Sequence, residues 1–269
     1  MIEQPTQQAL DRARHFVDQN GTPLDLLFLE TALEMRPPVE LAATLEASQD
    51  EEGGFGALSG APDGSPPGGE EGRLARTARG LRLLDAAGLK EHPVTERAVA
   101  FLCAARSPDG SWSEATDRTE DERLVRTGEV VALLGRSPFA PASVLNAAEG
   151  WLREGWSVER VKGPAYGPIL AYFAALASIP SELADEALQW CGRELERGYR
   201  SGAFGPVATA RVFLRCGASA LPGAGIRASE VVASLLDAQQ EDGGYPAATL
   251  DERVVETLDA AIALARLGD

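Results

Sequence analysis

The sequence is short of the residues from which many active sites are assembled. It holds two histidines, His15 and His92, and three cysteines, Cys103, Cys191 and Cys216. So few histidines leave little material for a histidine-based metal centre. An odd number of cysteines, at spacings of no zinc or redox motif, fits small buried hydrophobes better than a disulfide framework. Aromatic residues are only 6% of the 269. No run approaches the ~18 consecutive apolar residues of a membrane-spanning helix. The start, Met1-Ile2-Glu3-Gln4-Pro5, lacks the basic and apolar regions of a signal peptide, so a cytoplasmic setting is expected. Positive charge is also scarce: 25 Lys and Arg stand against 41 Asp and Glu, a net charge of −16. Such a chain repels phosphate backbones, which argues against general nucleic-acid binding; a protein partner drawn to the acidic surface would be basic. There is no P-loop, no G-x-S-x-G and no dinucleotide fingerprint.

What is present is a repeat. Gln49-Asp-Glu-Glu-Gly-Gly-Phe55, Arg106-Ser-Pro-Asp-Gly-Ser-Trp112 and Gln239-Gln-Glu-Asp-Gly-Gly-Tyr245 each set a long polar residue six positions before an aromatic, with glycine between. Trp112 and Tyr245 are 133 residues apart, close to three steps of 44. Two degenerate copies then fall at Gly155-Trp156 and in the stretch from Gly198-Tyr199 to Gly205. Phe55 to Trp112 is 13 residues too long, and the excess is the Gly-, Pro- and Ser-rich stretch 57–72, which reads as a loop insertion. Before Trp112, residues Ala98, Phe101, Leu102 and Ala105 recur with helical spacing, and Val231, Leu235 and Ala238 do so before Tyr245. After each motif a second apolar helix ends at a glycine, Gly88, Gly135 or Gly268, as a left-handed C-terminal cap would have it. A shorter first copy carries Thr22-Pro23-Leu24-Asp25, a helix start with its capping acid.

The expectation is six helix pairs, over 5–36, 38–89, 93–136, 140–179, 181–218 and 227–269. Such pairs either stack openly, with polar terminal repeats, or close into a ring. The last helix, Val254–Leu267, is as apolar as the middle ones. That favours a single all-α domain over 1–269, an (α/α)6 toroid of six inner and six outer helices.

The Q-x-x-D-G-G-aromatic motif resembles the repeat of protein prenyltransferase β-subunits and squalene–hopene-type triterpene cyclases, and the resemblance extends over essentially the whole chain. It implies the same toroid, with an isoprenoid-binding cavity along its axis. The family's catalytic residues do not carry over. The prenyltransferase zinc ligands Asp, Cys and His align with Arg126, Gly128 and Glu256, so no zinc is expected; Mg2+ is expected only with a bound diphosphate. The D-x-D-D motif of the cyclases is absent.

Charged positions on the expected inner helices supply the candidates. Aligned on the threonine of each helix, Arg76/Arg79, Arg126/Glu129 and Glu256/Asp259 share one face. A carboxylic acid in an apolar cavity has a raised pKa and can donate a proton, which makes Glu256 and Asp259 the candidate acid and base. Arg76, Arg79 and Arg126, with Glu129 beside them, are candidate contacts to a diphosphate or other anion. The competing account is ion pairing between repeats, which needs no ligand and is the commoner fate of helix charges. Phe28, Tyr166, Tyr172 and Phe213 are expected to line an apolar pocket. Two functions follow: an isoprenoid-binding or terpene-cyclase/prenyltransferase-like protein with a non-standard site, or a non-catalytic toroid serving as a protein-interaction scaffold. A glycan-processing toroid ranks behind both, because sugar stacking needs more aromatics.

Overall fold

A computed structural model of the chain describes residues 4–56, 58, 72–117 and 119–268. Apart from Leu58 and Gly72, the expected loop insertion 57–72 lies outside the described residues. The fold is all-α. In chain order the helices are α1 (Gln4–Asn20), α2 (Pro23–Ala32), α3 (Pro38–Ala47), α4 (Arg73–Ala86), α5 (Pro93–Ala104), α6 (Glu120–Gly135), α7 (Ala142–Glu154), the single turn α8 (Val158–Val161), α9 (Tyr166–Leu176), α10 (Ala184–Arg200), α11 (Pro206–Cys216), α12 (Ala228–Ala238) and α13 (Leu250–Leu267).

Local chemistry sets the starts of several of these. Thr22, Thr119 and Thr249 each accept a hydrogen bond from the backbone N–H three residues on, and Asp25, Glu122 and Glu252 reach back to the cap, closing three capping boxes. Proline opens α2, α3, α5 and α11, where its missing N–H costs nothing. One expectation about the ends fails. Gly88 takes the left-handed conformation, φ 75°, but Gly135 is the last residue of α6 and Gly268 has φ −89°. Gly135 is small for a different reason: a Cβ there would lie 2.5 Å from the Ser178 carbonyl oxygen, so glycine lets the end of α9 approach.

Packing follows a regular order. α4 contacts α6, α6 contacts α9, α9 contacts α11, α11 contacts α13, and α13 contacts α2. An ion pair from Arg79 to Asp25, 3.1 Å, ties α4 to α2. α1 packs on α13 and also touches α12. The repeat motif organises the joints. Phe55, Trp112 and Tyr245 are fully buried. Their backbone N–H groups donate to Thr77, Thr127 and Thr257 Oγ1, 3.0 Å in each case. Gln49 donates from its side chain to the Val94 carbonyl of α5, and Gln239 donates to the Ala9 carbonyl of α1.

The motif glycines make the closest approach. Gly53, Gly110 and Gly243 all have positive φ, and a Cβ on each would sit 2.3 Å from the carbonyl oxygen of Arg97, Ala147 and Arg12 respectively. Four residues before each threonine stands an arginine that clamps the turn. Arg73 pairs with Asp50 and Glu52, Arg123 with Asp109, and Arg253 with Asp242. Each guanidinium also lies over an aromatic ring of a neighbouring helix, Phe101, Trp151 or Phe16. In the fifth copy Phe204 is buried with its ring against Gly198 of the preceding helix α10, and its N–H donates to the Gly198 carbonyl rather than to a threonine.

Candidate functional site

A cavity of about 460 Å³ lies among α2, α4, α11 and α13, with the ends of α6 and α9 at its edge. Helix periodicity selects what faces it. The positions two and five residues beyond the repeat threonines Thr77, Thr209 and Thr257 are Arg79 and Arg82, Arg211 and Leu214, Asp259 and Ile262, and all six line the cavity. Phe28, Leu83 and Leu258 add apolar wall, and Asp25, Asp85, Lys90, Arg136, Arg215 and Arg266 add charge. Seven cations thus face three carboxylates in a chain where acids outnumber bases. The wall thus combines an excess of cations with an apolar face.

Most of the cations are engaged. Arg211 is the most tightly held, with Nε 2.6 Å from Asp259 and a terminal nitrogen 2.9 Å from Glu256. Burial opposes its charge, but Asp259, Tyr166 and Glu256 raise its pKa above the ordinary arginine value. For Asp259, burial pushes the pKa upward, yet Arg211, Arg82 and Arg215 overcome it and hold the carboxyl below its ordinary value. Arg82 faces Glu129 at 3.4 Å, and Arg136 faces Asp85 at 3.0 Å. Glu129 behaves as Asp259 does: burial opposes its charge, and Arg82, Arg215 and Arg126 nevertheless lower its pKa.

The expected site residues divide accordingly. Phe28, Arg79 and Asp259 line the cavity, and Glu256 and Glu129 stand behind it, holding Arg211 and Arg82. The expected proton-donor role of Asp259 meets a carboxyl kept ionised at neutral pH, and Glu256 shares the same guanidinium. Arg76 and Arg126 do not line the cavity. Arg76 reaches the Phe55 carbonyl at 3.4 Å, and Arg126 sits between Glu114 at 3.7 Å and Asp117 at 3.5 Å. Both stand one residue before their threonine, where the motif turn is within reach and the cavity is not. Tyr172 and Phe213 are fully buried in the core; the Tyr172 hydroxyl donates to the Leu152 carbonyl of α7, and its ring meets Trp156 edge-on. Tyr166 donates to the Ala208 carbonyl at 2.8 Å, and burial raises its pKa to about 12.

Six cavity cations escaped the sequence reading: Arg82, Lys90, Arg136, Arg211, Arg215 and Arg266. Arg211 carried a usable signal, since it stands two residues after Thr209 just as Arg79 stands after Thr77. Among the described residues no three His, Cys, Asp or Glu side chains converge as a metal site would require, and no helix is long and apolar enough to cross a membrane. Compared with known proteins, the chain matches no family model and no curated sequence.

Proposed function

We propose that the chain is one domain closed as a ring of six helical hairpins, and that its central cavity binds a small amphiphile with an anionic head and an apolar tail, of which prenyl diphosphates are the model. Support for closure comes from the joints. Gly53 meets α5, Gly110 meets α7 and Gly243 meets α1, with the same approach of 2.3 Å to a carbonyl. Each motif docks on the first helix of the next hairpin, and for the sixth motif the next hairpin is the first. The resemblance to prenyltransferase and triterpene-cyclase repeats agrees with this closure.

The observation that carries the ligand is the cavity wall. Phe28, Leu83, Leu214, Leu258 and Ile262 supply apolar surface within reach of Arg79, Arg82, Arg136 and Arg215. A volume of about 460 Å³ is in the range of small-molecule sites. The proposal is for binding; no acid–base step is placed on Glu256 or Asp259, because Arg211 occupies both.

Calorimetric titration with farnesol and with farnesyl diphosphate tests it. Saturable binding of farnesyl diphosphate, abolished by the cavity-filling variant Leu258→Trp, is the expected result. Absence of binding at about 1 mM of either compound, a ceiling near −4 kcal/mol, overturns the ligand assignment.

A further inference from the structure

One corner of the cavity, where α4, α6 and α11 end, brings together Arg82, Arg136 and Arg215. Two of the three have carboxylates. Arg82 faces Glu129 at 3.4 Å, and Arg136 faces Asp85 at 3.0 Å while donating to the Arg215 backbone carbonyl at 3.3 Å. Asp85 is itself shared with Lys90 at 3.6 Å. The Arg215 guanidinium has no carboxylate within 4.0 Å among the described residues. Asp259, the nearest candidate on α13, is turned to Arg211 at 2.6 Å.

The C-terminal end of a helix favours a cation, which explains Arg215 in the last turn of α11. It does not explain why the three converge on one wall. Burial, and then the charge of Arg82, push the Arg215 pKa down to about 10 against the opposing pull of Glu129 and Asp259, which still leaves it cationic at neutral pH. A partly buried cation beside other cations is costly unless anions compensate it in full. Planar guanidiniums that meet at an angle offer paired donors to the oxygens of a tetrahedral oxyanion.

We propose that Arg82, Arg136 and Arg215 form an oxyanion site for a phosphate-type group, either free or as the head of the amphiphile. The tail assignment rests on the function proposed above; the head-group site stands without it. Arg215 supplies the uncommitted donors. Arg82 and Arg136 are held in place by Glu129 and Asp85 and add charge at no further cost of ordering.

The test is calorimetric titration of the full chain with sodium pyrophosphate, in buffer free of phosphate and sulfate, on wild type, Arg215→Gln, Arg215→Lys and the exposed control Arg153→Gln. Wild type and Arg153→Gln bind alike, Arg215→Lys binds more weakly, and Arg215→Gln is weaker by at least about tenfold, or about 1.4 kcal/mol. Equal affinity of wild type and Arg215→Gln overturns the proposal, as does absence of wild-type binding at about 1 mM. A second measurement needs no variant. Cys216 adjoins Arg215 on the cavity wall, so pyrophosphate slows its alkylation, followed by peptide mass spectrometry, and leaves Cys103 unaffected; no slowing of Cys216 overturns the site.

Farnesol and farnesyl diphosphate separate the two ideas. If pyrophosphate and farnesyl diphosphate bind equally through Arg215 and farnesol does not bind, the oxyanion site stands and the isoprenoid tail falls. If farnesol and farnesyl diphosphate bind without regard to Arg215, the tail stands and the oxyanion site falls.

Discussion

Replacing Thr127 tests the repeat joint most directly. Its hydroxyl accepts the Trp112 backbone N–H at 3.0 Å and lies 3.2 Å from the Trp112 carbonyl; both residues have 0% exposure. Thr127→Val keeps the shape and removes the hydroxyl. The Trp112 N–H is then buried without a partner, at a cost of about 1–3 kcal/mol. Thr127→Ser keeps the hydroxyl and removes a methyl, at about 0.8 kcal/mol, plus a small cavity term. Valine is therefore the more damaging change if the hydrogen bond governs, and serine if packing does. A central value of about 2 kcal/mol lowers the melting temperature by roughly 4 °C for a chain of this size. Urea unfolding followed by tryptophan fluorescence and far-UV circular dichroism gives both values. Because Thr77 and Thr257 make the same bond, their valine variants fall within about 1 kcal/mol of Thr127→Val. Serine proving worse than valine at all three sites would refute the reasoning.

Gly243→Ala combines left-handed strain with a Cβ 2.3 Å from the Arg12 carbonyl, so it costs at least about 2 kcal/mol, as do Gly53→Ala and Gly110→Ala; a neutral Gly243→Ala in urea unfolding would remove the contact between the last motif and α1. Arg211→Met deprives Glu256 and Asp259 of the guanidinium that pairs them and destabilises by about 3 kcal/mol at pH 7, measured in the same way. The Asp259 pKa is lowered in the fold, so its contribution is complete above the unfolded value of 3.8 and drains away as pH falls through the lower folded value. Acid unfolding curves of wild type and Arg211→Met therefore converge below pH 4; parallel curves would contradict the pairing. Burial raises the Cys216 thiol to about 12, so its rate of alkylation by iodoacetamide in the native protein keeps climbing with pH beyond about 10, and levelling off by about pH 10 would show an ordinary thiol.

The joints were legible in the sequence because they are built from residue types with narrow uses. Glycine at positive φ, a buried aromatic three or fewer residues on and a capping threonine with its acid each leave a mark at fixed spacing. The clamp arginines Arg73, Arg123 and Arg253 left the same mark, four residues before each threonine, and gained meaning only once their partners Asp50, Asp109 and Asp242 were in place. Gly135 shows the limit. Its position suits a helix cap, but its smallness serves contact with Ser178, a residue 43 positions away. The cavity was half legible. Aligning helices on their threonines picked out Arg79 and Asp259, which line the cavity, yet it gave equal weight to Arg76 and Arg126, which the motif turns capture. Which of two positions three residues apart faces a turn and which faces the cavity depends on how deep along the helix each one sits, and spacing alone does not encode depth.

That depth also explains how so acidic a chain carries a cationic interior. Near the motif turns, arginines meet the acids of the repeat itself: Arg73 takes Asp50, Arg123 takes Asp109 and Arg253 takes Asp242. These pairs recur because the motif recurs, and they leave no surplus of positive charge. Further along the same helices the motif has no acids to offer, so each position is free to differ between repeats. There Arg79, Arg82, Arg211 and Arg215 meet only what neighbouring helices supply, which is Asp25, Glu129, Glu256 and Asp259. Arg211 takes two of those four carboxylates, and Arg215 is left over. The surplus of positive charge is thus confined to the part of each helix that the repeat does not dictate. Substitutions in the joints should change stability with little effect on pyrophosphate affinity, and substitutions at Arg215 the reverse.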